Sequence, residues 1–289
     1  MLTEFQRQWG VDQWAAFLTA HELPSMRRSK MLLHALEEAQ GDALSAKELA
    51  ALAASDPFLC LRLLRAAEQR RSRRLGRDTT TTLASVMQLG VTSFRELLLA
   101  SPETDADSVG LAACEARAVL ASQLAVQWVA ARADIAPDEV AMATLLAEAG
   151  ELLLWSFAPE LPQAAEDALA AGLATRSIQA QEMTCGFKFR DLTLKCATIW
   201  ELPLLLVHLI QGVDNARANI SRLCVDTARH LAAGPDNLAL PSDLAAAKRL
   251  IPQASLAWLA VNLLGLDEDQ RAAAIAQAEE ILKRMPAPE

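Results

Sequence analysis

The chain has 289 residues, with 36 acidic against 27 basic side chains and a formal net charge of −9. That balance argues against a general nucleic-acid binder, which needs a basic face to meet phosphates. Hydrophobic residues make up 52% of the chain, Ala and Leu foremost, with 11 glycines and no tyrosine; this composition points to an all-α protein.

Five cysteines, Cys60, Cys114, Cys185, Cys196 and Cys224, are scattered with no CxxC spacing. That argues against a disulfide framework or a zinc knot and predicts small buried side chains in a reducing cytosol. The first residues lack the charged-then-apolar order of a signal peptide. No apolar run is expected to reach the roughly 18 residues that span a bilayer. The richest run, 199–210, is broken by Glu201, Pro203 and His208. The expectation is a cytoplasmic chain with no membrane contact.

In chain order, residues 3–20 place Phe5, Trp9, Trp14, Phe17 and Leu18 on one helical face, expected to pack on the main body. Leu23-Pro24-Ser25 breaks the chain. Met31, Leu32, Ala35 and Leu36 then form a helical stripe that Gly41-Asp42 ends. Ser45 and Glu48 have the spacing of a capping box. Asp56-Pro57 reads as a helix start, a side-chain cap followed by proline at the first position. Phe58, Leu59, Leu61, Leu63 and Leu64 make the helix behind it central.

Residues 69–78 hold Arg70, Arg71, Arg73, Arg74 and Arg77 against an acidic background. The stretch reads either as a solvated positive loop or as a patch for an anionic partner. Gly90 separates two short helices, and the polar stretch 101–110 is the best candidate hinge. A long helix over 111–133 follows, then one opening at Pro137. Residues 143–155 read as a buried helix, a glycine joint at Gly150 and a second apolar run. Further helices are expected over 159–171, 177–183, 192–200, 204–210 and 215–233. Three shorter ones, over 243–250, 254–264 and 268–285, complete the chain. No strand pattern and no fixed-period repeat is present.

The four histidines, His21, His34, His208 and His230, are never three or four residues apart, whereas metal sites need several ligands converging. His34 and His208 lie in apolar runs and read as core histidines. There is no GxSxG elbow, no paired Cys and His, and no Gly-rich phosphate loop. Glu148, Glu182 and Asp191 each adjoin an apolar run; helix caps or core-edge charges are the ordinary reading of such acids.

Several of these pieces together resemble the HDOD domain, a bacterial family related to the HD-type metal-dependent phosphohydrolases. They are Leu23-Pro24, Ser45 to Ala50, Asp56-Pro57, Leu61 to Arg65, Ala84 to Gly90 and Phe94 to Leu99. The later pieces are Leu145 to Gly150, Glu182, Gly186 and Trp200 to Pro203. The resemblance implies a multi-helical N-terminal lobe joined to an HD-like helical bundle. It covers 21–215, with an extension over 1–20 and C-terminal helices over 216–289 packed on the same unit.

The departures bear on activity. Glu68-Gln69 replaces the family's Asn-Ser. The His-Asp pair of the family's central motif falls on Ala147 and Glu148 here. A later His falls near Phe189, and a His-His pair near Val213-Asp214. The resemblance therefore implies a degenerate pocket around Ala147, Glu148, Glu182, Phe189 and Asp191, with no metal, no cofactor and no catalysis. The expected role is a bacterial signal-transduction or regulatory module that binds another signalling protein. Two alternatives stand beside it. One is a residual phosphohydrolase using Glu148, Glu182 and Asp191; the other is a sensor of an anionic ligand through the arginine stretch.

Overall fold

The computed structural model describes residues 2–41, 44–70, 79–213 and 215–284. Among them the secondary structure is helical, with one isolated bridge between Ser25 and Glu103. A 3₁₀ turn, Gln6–Gln8, precedes α1 Val11–Ala20, α2 Arg27–Gln40, α3 Ala46–Ala53 and α4 Pro57–Arg70. Then come α5 Thr82–Leu89, α6 Val91–Leu99, α7 Val109–Val129, α8 Pro137–Leu146 and α9 Ala149–Phe157. The rest are α10 Glu160–Ala170, α11 Ser177–Cys185, α12 Phe189–Ile199 and α13 Leu204–Gln211. The chain closes with α14 Ala216–Ala232, α15 Leu240–Leu250, α16 Leu256–Val261 and α17 Glu268–Arg284.

The chain divides into two compact units, Met1–Ala116 with Leu146–Val207, and Arg117–Leu145 with His208–Glu289. In the first, Leu33, Leu49, Ala53, Leu59, Leu63, Val86, Phe94 and Leu98 form a fully buried core. Each such leucine contributes about 2 kcal/mol of burial. The α1 helix packs on α12 and α9, α4 on α5, and α10 on α11. The second unit closes around Trp128, Ile220, Leu244, Ile251, Leu259 and Leu263, all fully buried. The Trp128 indole N–H donates to the Leu259 carbonyl at 3.1 Å, so the ring is buried with its polar edge satisfied.

Local chemistry sets the helix starts. The Ser45 hydroxyl accepts from Glu48 N, and the Glu48 carboxylate accepts from Ser45 N at 2.9 Å. Asp56 Oδ1 caps α4 by accepting from Leu59 N at 3.0 Å. Its Oδ2 also accepts from Met26 N at 2.8 Å and from Ser29 Oγ at 2.7 Å. One buried carboxylate thus ties the start of α2 to the start of α4. At the beginning of the polar 101–110 stretch, Ser25 N donates to Pro102 O at 2.8 Å and Thr104 N to Ser25 O at 2.9 Å.

The single helix expected over 3–20 is split at Trp9-Gly10, where the chain turns extended before α1. His34 is not a core histidine: its side chain is 61% exposed and faces Glu37. The reason is that α2 buries a narrow face, with Leu33 inside and Met31 and Leu32 outside. His208 is exposed as well, because the inward face of α13 is Leu206, Leu209 and Ile210. Two stretches, Val109–Val129 and Pro137–Phe157, are long and apolar enough to cross a membrane by length and composition, contrary to expectation. Their alanines raise the mean hydropathy, and 83% of the second stretch's apolar window is buried inside the protein.

Candidate functional site: a turn latched by Thr193

Where the sequence places its degenerate pocket, α8 ends at Leu146, and Ala147-Glu148 form a turn that starts α9. The joint is that turn and not Gly150, which lies inside the first turn of α9. Gly150 serves a different purpose. A Cβ there would stand 2.6 Å from Phe189 O and 2.8 Å from Thr193 N, so α9 and α12 approach closely enough to leave no room for a methyl. Thr193 fastens the contact: its hydroxyl oxygen accepts from Gly150 N at 2.9 Å. Its proton has two acceptors within reach, Phe189 O at 3.2 Å and Ala147 O at 3.3 Å. A buried hydroxyl and a bare glycine therefore hold the turn shut against α12.

The five expected pocket residues do not share one environment. Glu148 is 5% exposed, and its side chain gives no cap to α9. Phe189 is buried, and its N–H donates to the buried Gln181 side chain at 3.0 Å. Ala147 is half-buried. Glu182 and Asp191 are exposed, and Glu182 pairs with Lys188 at 3.4 Å. Among the described residues no three His, Cys, Asp or Glu side chains are grouped as metal ligands. Neither Thr193 nor Gln181 carries a local sequence signal that marks it as part of the site.

Arg70 is tied back to the protein: its guanidinium donates to Leu89 O at 2.9 Å and Ser93 Oγ at 3.1 Å, at the end of α5. Arg71, Arg73, Arg74 and Arg77 lie outside the described residues. The histidine with a carboxylate partner in the second unit is His230, whose Nδ1 lies 2.7 Å from Asp243 Oδ2, which raises the ring's pKa.

One buried acid is unexplained by capping. Glu115, on α7, is 8% exposed, and its Oε1 has no hydrogen-bond partner. Burial pushes its pKa from 4.5 up to about 7, with the Asp56 charge adding to the rise and Arg28 opposing it. A raised carboxyl pKa means its stabilising contribution is complete below about pH 4.5 and is lost as pH rises through about 7. Discounted for solvent screening, that is about 2 kcal/mol. Denaturant unfolding at pH 5 and pH 8 checks it: the difference between the two pH values is expected to shrink by about that amount in Glu115→Gln. An unchanged difference would mean that Glu115 does not titrate in this range.

The HDOD domain model matches residues 23–216, well over half of the chain. No curated protein sequence matches it. Among solved structures, the MmoQ response regulator of Methylococcus capsulatus str. Bath is 22% identical, with TM-score 0.62 over 89% of this chain and 99% of that one. A fragment of the same protein, residues 20–298, is 25% identical, with TM-score 0.58 over 86% and 94%. A virulence factor (cj0248) of Campylobacter jejuni subsp. jejuni is 15% identical, with TM-score 0.68 over 96% and 100%. The helical architecture is thus that of known structures, and the match over 23–216 settles the family: this chain belongs to the HDOD family.

Proposed function

We propose that this protein is a non-catalytic regulatory module that works in the cytoplasm by binding another signalling protein. HDOD membership and the likeness to a protein described as a response regulator support the regulatory role. The observation that carries the non-catalytic reading is the latched turn. Metal-assisted hydrolysis needs a cation with an open coordination position to activate water. Here the Ala147-Glu148 turn offers a methyl group and one carboxylate, and Gly150 and Thr193 close it against α12. The acids of the competing phosphohydrolase reading are spread between a buried turn and two exposed positions.

Turnover assays test the reading. With manganese, iron or zinc supplied, the purified protein is expected to leave cyclic dinucleotides and nucleotides intact. Hydrolysis at an ordinary enzymatic rate, abolished by Glu148→Ala, would replace this reading with the phosphohydrolase one.

A further inference from the structure

In the first unit, donors without acceptors gather where α4 meets the end of α12. Arg65 is half-buried, and its guanidinium carbon lies 5.1 Å from the centre of the Trp200 ring. It makes no hydrogen bond or ion pair among the described residues. Burial, and after it the charge of Arg62 one helical turn earlier, depresses the pKa of Arg65. The Arg62 guanidinium donates to Glu22 Oε1 at 3.2 Å, to Leu23 O and to Leu97 O at 3.4 Å, and only its buried Nε lacks an acceptor. Trp200 is 8% exposed, and its indole N–H also lacks one.

Buried polar groups in folded proteins are nearly always paired, and an orphan calls for a missing partner. The orphans here are all donors. The carboxylate Glu22 pairs with Arg62 and is itself 63% exposed. Arg65 is thus left without an acidic partner among the described residues, in a chain whose net charge is −9. Stacking on Trp200 holds the Arg65 fork in place and leaves its N–H groups free for a planar or tetrahedral oxyanion.

We infer that Arg65, laid over Trp200 and beside Arg62, is the anchor of a binding site for a phosphate-type oxyanion. A tetrahedral phosphate presents acceptors in several directions, which suits the several N–H groups of the Arg65 fork that Trp200 holds in place. The group arrives either as free phosphate or on a phosphorylated small molecule. This input is separate from the protein binding proposed above and does not depend on it.

The test follows the Trp200 indole signal by NMR in the full chain labelled at tryptophan nitrogen, assigned with Trp200→Phe. The chain is titrated with inorganic phosphate, with ADP, and with chloride at matched ionic strength. The expected result is a saturable shift with phosphate or ADP and none with chloride. Saturation by phosphate identifies the free ion as sufficient; saturation by ADP alone identifies an organic phosphate. Arg65→Gln is expected to weaken binding about tenfold to a hundredfold, the loss of a charged hydrogen-bonding partner. Arg65→Lys, which keeps the charge but loses the fork, falls between, and Arg70→Gln leaves binding unchanged. Unfolding midpoints of each variant separate lost binding from lost fold. No saturable shift with either phosphate ligand, an equal shift with chloride, or full binding by a folded Arg65→Gln overturns the inference.

Discussion

Replacing Asp56 with alanine is expected to destabilise the protein by about 4 kcal/mol, the loss of a buried, multiply bonded acceptor. The carboxylate is 0% exposed and accepts from Met26 N, Ser29 Oγ and Leu59 N. An ordinary exposed N-cap costs about 1 kcal/mol on removal. This one costs more because three donors are left in a place water does not reach. Burial raises the pKa of Asp56, while those same hydrogen bonds hold it down. Asp56→Asn is the sharper control. Its amide has one acceptor oxygen, so either the pair of donors at Oδ2 or the one at Oδ1 meets an N–H instead. Both variants are checked by denaturant midpoint. A loss near 1 kcal/mol would show that the tie between α2 and α4 adds nothing beyond ordinary capping.

Gly150→Ala is expected to cost about 2 kcal/mol, although alanine is the better helix former. The added Cβ would meet backbone atoms of α12 at 2.6 and 2.8 Å, and backbone cannot rotate away as a side chain can. The two helices must part, which also pulls Gly150 N off Thr193 Oγ1. Thr193→Val keeps the volume and removes the latch, and is expected to cost about 1 kcal/mol. Equal or higher stability in Gly150→Ala, measured by thermal or urea unfolding, would mean that α9 and α12 do not pack this closely.

What the sequence makes legible is what local chemistry decides. The Ser45-Glu48 box and the Asp56-Pro57 start are written within three or four residues, and both form as expected. The all-helical class follows from composition and the absence of alternation. The motif order from Leu23 to Pro203 identifies the family that the match over 23–216 shows. What stays hidden depends on partners distant in the chain. Thr193 reaches Gly150 across 43 residues, and nothing near Thr193 marks it as a latch. Met26 and Ser29 reach Asp56 across 30 and 27 residues, turning a cap into a tie between helices. His34 and His208 lie outside the core despite their apolar neighbours, because an apolar neighbourhood in sequence does not say which side of the helix is covered. Glu115 looks like an ordinary helix acid in sequence, and only the packing around α7 buries it.

The most direct test of the central claim, that this HDOD protein carries no working metal centre, is elemental analysis. The purified protein is incubated with manganese, iron and zinc, desalted, and its bound metal counted per chain. A turn of Ala147 and Glu148 closed by Thr193 is expected to retain none of the three above background. Near-stoichiometric retention, lost in Glu148→Ala, would contradict the account and make the degenerate pocket a metal site after all.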